Sequence, residues 1–168
     1  MRRPVIGVMG ASAPSPSALA AAAELGKLIA ERGWVLLTGG RSAGVMGAAC
    51  AGAKQVSGSL TVGILPGAAG GEAEDLDIAV FTGMGEARNA INVLTSDVVV
   101  ACGVEGAGTI SEIALAMKAE KPVVLLNPSA AAWSLFAEIQ TGARLFRAAA
   151  PEEVVRVVEE QLGITRGM

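Results

Sequence analysis

Arg88 and Glu112 are the charged side chains best placed to do chemistry in this sequence, because they flank a glycine-rich turn. Residues 88–126 read RNAINVLTSDVVVACGVEGAGTISEIALAMKAEKPVVLL. That is a helix, a buried strand, the turn Gly103-Val104-Glu105-Gly106-Ala107-Gly108-Thr109, a helix carrying Glu112, and a second buried strand. Glycines in such a turn let a ligand approach the backbone closely. The helix that follows points unpaired N–H groups and a positive dipole end at the same spot. The chemistry this favours is anion binding, with phosphate as the natural anion. The chain has no histidine. A Ser-His-Asp triad, a Cys-His pair and a His-ligated metal are thereby excluded, and two distant cysteines do not make a zinc site, so no metal ligand set is expected. Acid–base work falls to Asp, Glu, Lys or Arg.

Two further turns have the same character. Gly10-Ala11-Ser12 follows an apolar run, and Gly39-Gly40-Arg41-Ser42-Ala43-Gly44 follows another. Arg41 within a glycine turn suits phosphate contact. Each residue also has a plainer reading. Thr109-Ile110-Ser111-Glu112 has the spacing of a capping box, in which Glu112 bonds back to the backbone N–H of Thr109. Arg88 could be a solvated helix residue near Glu86, and Gly39 and Gly40 a tight strand–helix turn. Spacing leaves these alternatives open. Asp97, at a strand start, reads as structural.

The elements that must position these turns alternate in type. Short apolar runs at 4–9, 34–38, 60–65, 78–82, 97–102 and 122–126 read as strands, with a possible short edge strand at 144–147. Helical patterns fall at 17–32, 45–56, 86–95, 109–119, 131–141 and 151–162, the last with Pro151 in its first turn and acids after it. Residues 66–75 read as a loop, and the acidic stretch 70–77 has no evident place. Buried strands alternating with helices predict an α/β fold: a Rossmann-like, doubly wound, mostly parallel sheet with helices on both faces, formed by residues 1–168 as a single ligand-binding domain. In such sheets ligands bind at the carboxyl ends of the strands, and all three glycine turns follow strands.

Composition narrows the ligand. The chain is 52% hydrophobic and 17% charged with net charge −3, which argues against disorder and against general affinity for nucleic acid or anionic membrane. Aromatics are 3%, too few for stacking single strands. No apolar run is long enough to span a membrane without a glycine or charge, and the first ten residues read as a strand rather than a signal, so the cytoplasm is the expected compartment. Cys50 and Cys102 lie in apolar segments and read as buried free thiols. Gly7-Val8-Met9-Gly10 is not the dinucleotide fingerprint, and the second strand ends Thr38-Gly39-Gly40 without the ribose-binding acid, so NAD is disfavoured. Residues 103–109 share a P-loop frame but place Thr109 where the lysine belongs, so NTP hydrolysis is disfavoured. A phosphate-bearing small molecule remains.

Three segments in order then carry a resemblance: Leu36-Leu37-Thr38-Gly39-Gly40-Arg41-Ser42-Ala43-Gly44-Val45-Met46-Gly47, Ala87-Arg88-Asn89, and Gly106-Ala107-Gly108-Thr109-Ile110-Ser111-Glu112. Together they resemble the LOG superfamily, often labelled lysine decarboxylase-like, and within it the molybdenum cofactor carrier branch of algae and bacteria. The likeness spans about residues 4–127. It implies a Rossmann-like fold and a phosphate-bearing pterin, the molybdenum cofactor, held on the glycine turns. The implied binding set is Gly10, Ser12, Gly39, Gly40, Arg41, Ser42, Gly44, Arg88, Asn89, Gly106, Ala107, Gly108, Thr109 and Glu112. It also implies a molybdoenzyme as acceptor and a homodimer or homotetramer, for which the small-residue helix 45–56 is a credible interface. In the phosphoribohydrolases of the superfamily, the residues matching Arg88 and Glu112 are catalytic and cleave the N-glycosidic bond of an adenosine monophosphate derivative. This sequence departs from that pattern. Val104-Glu105-Gly106 replaces Pro-Gly-Gly, Asn89 replaces a lysine, and one residue is inserted between Arg88 and Glu112. These departures resemble the carrier branch. Glu105 would disfavour an anion unless it points away.

Overall fold

In a computed structural model of the chain, residues 2–139 and 144–164 are described. Seven strands form one parallel sheet: β1 (Val5–Gly10), β2 (Val35–Thr38), β3 (Leu60–Leu65), β4 (Ile78–Phe81), β5 (Val98–Cys102), β6 (Val123–Leu126) and β7 (Leu145–Ala148). Their order is β4-β3-β2-β1-β5-β6-β7 and every pairing is parallel. The central strands β2, β5 and β6 are buried along their whole length, as near-continuous valine and leucine runs require when both faces are covered.

Six helices supply the cover: α1 (Pro16–Glu31), α2 (Gly44–Ala53), α3 (Asn89–Thr95), α4 (Ala107–Lys118), α5 (Ala130–Ile139) and α6 (Pro151–Gln161). One face buries Ala22, Leu25 and Ile29 of α1, Val45 and Ala49 of α2, and Val154 and Val158 of α6 against Ile6, Val8 and Val100. The other buries Val93 of α3, Ile113 and Ala116 of α4, and Phe136 of α5 against Leu37, Val99 and Leu125. The strand order reverses between β1 and β5, which opens a crevice at their carboxyl ends.

The expected elements are present with shifted ends. The helix expected at 86–95 begins as a 3-10 turn, Gly85–Arg88, before α3. The last turn expected for the helix at 131–141 lies outside the described residues; α5 itself runs to Ile139. The stretch expected at 144–147 is β7, one residue later. The acidic loop is not free-standing. The Ala73 amide donates to the Gly40 carbonyl at 2.8 Å, Arg41 and Glu72 form an antiparallel bridge, and the Asp77 carboxylate holds Lys54 and the amide and hydroxyl of Thr61.

The small-residue helix expected at 45–56 as a credible subunit interface spends much of its surface inside the chain. Helix α2 packs on α1 and on the sheet within the chain, burying Val45, Met46, Ala49, Cys50, Gly52 and Ala53. Its small residues bring two backbones together: a Cβ on Gly26 would lie 1.9 Å from the Ala49 carbonyl oxygen, and one on Gly52 1.8 Å from that of Ala23. Neither obstacle is a side chain that can swing away. Gly52→Ala is therefore expected to destabilise the fold by about 2–3 kcal/mol, read by urea denaturation. An unchanged midpoint would contradict this packing.

Asp97 is structural, as its place at a strand start suggests. It accepts both Arg2 guanidinium nitrogens at 2.7 and 2.5 Å and the Val5 amide at 2.8 Å, tying β1 to β5. Partial burial pushes its carboxyl up. The Arg2 and Val5 hydrogen bonds and the charges of Arg2 and Lys121 outweigh that and hold it below the ordinary aspartate value. This stabilisation is present above the unfolded-state pKa of about 4 and is lost as pH falls through the lower folded value. Asp97→Asn is expected to flatten the acid limb of a stability–pH curve. An unchanged acid limb would contradict the assignment.

Candidate functional site

The three glycine turns meet in one cleft of about 220 Å³ at the carboxyl edge of the sheet. Gly10, Ala11 and Ser12 line it after β1, Gly39 and Arg41 after β2, and Gly106, Gly108 and Thr109 after β5. Arg88, Asn89 and Glu112 complete the lining from the 3-10 turn, α3 and α4.

Helix α4 starts without a side-chain cap, and Gly106 at its N-cap has φ 90°. The amides of Ala107, Gly108 and Thr109 have no hydrogen-bond partner among the described residues, and no acid lies in the first turn. They form an anion-accepting corner. Helix α2 differs, because its Val45 amide already donates to the Ala11 carbonyl.

Glu112 is not part of a capping box. Thr109 is the third helical residue of α4 and not its cap, so the geometry such a box needs is absent. Glu112 turns inward, only 7% exposed, and accepts a 2.9 Å hydrogen bond from Asn92 Nδ2. Burial pushes its carboxyl up, the Asn92 bond and the Arg88 charge oppose this, and Glu86 adds to it. Arg88 is not a solvated helix residue either. It is 5% exposed, its Nη1 lies 4.0 Å from Glu112 Oε1, and it donates to Asn89 Oδ1. Asn89 donates on to Ser111 Oγ at 3.2 Å, and Ser111 to the Gly108 carbonyl at 2.7 Å. This chain of bonds fixes Arg88 against the first turn of α4. The guanidinium still has an unsatisfied buried Nε, and Asn92 an unsatisfied Oδ1. Buried polar groups are normally satisfied, so such an arginine beside free amides is poised for an acceptor.

Gly39 makes room for this arginine, since a Cβ there would lie 2.8 Å from Met46 Sδ and 3.0 Å from Arg88 Nη2. Arg41 stands at the mouth, half exposed, 3.8 Å from Glu86 Oε1.

Gly40, Ser42, Gly44 and Ala107 do not line the cleft. Gly40 holds the acidic loop through its carbonyl, and the Ser42 carbonyl abuts Gly47. Gly44, at φ 63°, abuts the Ala11 carbonyl, and Ala107 lies in the helix's first turn. Val8, Met9, Met46 and Glu86 line the cleft without having been expected there, Glu105 lines it beside the turn it belongs to, and Asn92 supports it from beneath. Asn92 lies four residues after Arg88 and so on the same helical side, a spacing that could have revealed it.

The profile of the SLOG cluster4 family matches residues 3–155. The chain belongs to the SLOG cluster4 family. Its resemblance to the LOG superfamily and that superfamily's carrier branch therefore has structural company. The chain is similar to the molybdenum cofactor binding protein of Rippkaea orientalis, with 48% identity over 96% of this chain and 99% of that one and a TM-score of 0.92. It is similar to the molybdenum cofactor carrier protein of Chlamydomonas reinhardtii, with 44% identity over 96% and 99% and a TM-score of 0.88. A protein of Archaeoglobus fulgidus is 42% identical over 155 residues, covering 89% of this chain and 91% of its own. In this SLOG cluster4 member, both free cysteines lie outside the reactive range. Burial, against a weaker Thr38 contact, pushes the Cys50 thiol up to about 11, and burial pushes Cys102 up to about 12.

Proposed function

We propose that this chain binds and carries molybdenum cofactor, holding the phosphate of the pterin on the first turn of α4 and releasing the cofactor unchanged to a molybdoenzyme. The observation that carries this reading is the meeting, in one cleft, of the partnerless Gly108 and Thr109 amides at the start of α4 with the buried Arg88 guanidinium. A phosphate supplies acceptors to both. The relatives named as molybdenum cofactor carrier and binding proteins, matched over almost their whole length, support the pterin as the phosphate's bearer. In this reading Gly10, Ser12, Gly39, Arg41, Asn89, Gly106, Gly108 and Thr109 contact the ligand, while Gly40, Ser42, Gly44 and Ala107 set the turns.

The approach of Arg88 to Glu112 favours a second reading, cleavage of a nucleoside 5′-monophosphate to base and ribose 5-phosphate. Glu112 would then stabilise an oxocarbenium-like transition state. One incubation separates the two. Mixed with AMP, a carrier leaves AMP intact; a phosphoribohydrolase releases adenine, and Glu112→Gln abolishes that release.

No helix among the described residues is long and apolar enough to cross a membrane. The exposed Leu94, Ile110, Leu115, Leu135 and Ile139 lie on α3, α4 and α5. We place a homo-oligomer contact there rather than on α2. Leu94→Glu is expected to shift the light-scattering mass to a smaller assembly; an unchanged mass would move the contact elsewhere.

A further inference from the structure

We propose that a second cavity beside the main cleft takes the bicyclic amino-pyrimidinone head of the ligand, and that Glu105 reads its paired N–H donors. This rests on the reading that the main cleft holds the phosphate of a pterin.

The main cleft, at about 220 Å³, is smaller than the roughly 300–1,000 Å³ usual for a site that encloses a whole small ligand. A neighbouring cavity of about 90 Å³ lies between the start of α1 and the ends of β5 and β6. Ala18, Ala21, Cys102 and Leu126 give it apolar walls, suited to a flat ring. Asn127 stands at its rim with φ 50°, a backbone conformation asparagine tolerates better than most residues. Glu105 lines both cavities.

The carboxylates divide in the same way. Of those lining the main cleft, Glu112 accepts from Asn92 and Glu86 pairs with Arg41. Glu105 has neither a hydrogen bond nor an ion pair among the described residues. Positive φ at Gly103 and Gly106 brackets it, and its carboxylate folds back over Gly103, 3.7 Å from where a Cβ would stand. A free carboxylate next to a phosphate site is a liability unless the ligand brings donors to it. A pterin does, and so does guanine: in each, the exocyclic amino group and the adjacent ring N–H point the same way, and a carboxylate accepts both at once. Adenine has no such pair. A site built to receive those donors binds a ligand that lacks them more weakly, through its phosphate alone.

The test is calorimetric titration of the full chain with inorganic phosphate, GMP, AMP and 6-hydroxymethylpterin, for wild type, Glu105→Gln and Ala18→Phe, the last aimed at filling the second cavity. The proposal expects GMP to bind at least tenfold more tightly than AMP in wild type. It expects Glu105→Gln to bring the two within about twofold while phosphate binding is not weakened. It expects Ala18→Phe to weaken 6-hydroxymethylpterin at least tenfold and leave phosphate alone, with an unchanged melting temperature showing that the variant folds. Equal GMP and AMP affinities in wild type would overturn it. So would a parallel loss of GMP and phosphate in Glu105→Gln, because Glu105 would then only shape the phosphate turn. Failure of wild type to bind phosphate would instead remove the phosphate reading. The head-group proposal is still judged by 6-hydroxymethylpterin, which carries no phosphate: its loss in both variants supports the second cavity, and unaltered binding overturns it.

Discussion

Replacing Arg88 by alanine is expected to lower the affinity for inorganic phosphate and for the phosphate-bearing pterin by about 100-fold, near 3 kcal/mol, the scale of charge-assisted hydrogen bonds lost in a desolvated place. Arg88 is almost wholly buried, braced through Asn89 and Ser111, has an unsatisfied Nε, and lines the same cleft as Gly108 and Thr109 of α4. Arg88→Lys is expected to recover only part of the loss. An ammonium keeps the charge, but its reach and donor geometry differ from those of the planar fork held against Gly39. Titration calorimetry with inorganic phosphate reads both variants. Wild-type affinity in Arg88→Ala would mean that the anion sits elsewhere. The opposite arrangement, in which Arg88 serves only to neutralise Glu112, predicts a loss of folding stability without a matching loss of phosphate affinity.

Gly44→Ala carries the largest expected cost to the fold around the site. Gly44 has φ 63°, and a Cβ there would stand 2.2 Å from the Ala11 carbonyl oxygen and 2.7 Å from Ser12 Cα. Left-handed strain and a backbone collision add, for an expected destabilisation of about 3–5 kcal/mol. The Ala11–Ser12 turn, held to α2 by the Val45 amide at 3.1 Å, would have to move. Ligand affinity is therefore expected to fall with stability. Gly58→Ala is the control for conformation alone, since Gly58 has φ 77° with nothing within 4 Å of an added Cβ. It should cost only the strain, about 1–2 kcal/mol, and leave ligand binding untouched. Equal melting points for the two variants would mean that the contact between the β1 turn and α2 is slack.

Much of this was legible in the residues. Unbroken valine and leucine runs such as Val98–Cys102 and Val123–Leu126 announced strands covered on both faces, and glycine turns placed after strands announced the ligand edge. The segments around Gly39, Arg88 and Gly106, which carry the family resemblance, line one cleft. Burial was what spacing could not supply. Thr109 and Glu112 stand at capping-box distance in the sequence, yet the helix begins at Ala107, which turns Glu112 inward to Asn92. The small-residue helix α2 had the composition of an interface, and spacing could not show that it packs on α1 inside the same chain, where Gly26 and Gly52 let the backbones touch. The acidic loop had little sequence signal because main-chain bonds, Ala73 to Gly40 and Arg41 to Glu72, hold it together with the long-range contacts of Asp77 to Lys54 and Thr61. Met9 and Met46 line the cleft from positions that read as ordinary core.

The most direct test of the central claim is to incubate the purified chain with released molybdenum cofactor, re-isolate it, and assay transfer to a cofactor-free molybdoenzyme, in parallel with Arg88→Ala and with AMP as competitor. Binding on the α4 turn predicts that wild type protects and transfers the cofactor, that Arg88→Ala retains little, and that AMP competes without being cleaved. Cofactor lost at the same rate with and without protein, together with adenine released from AMP, would contradict the carrier account and assign Arg88 and Glu112 to catalysis.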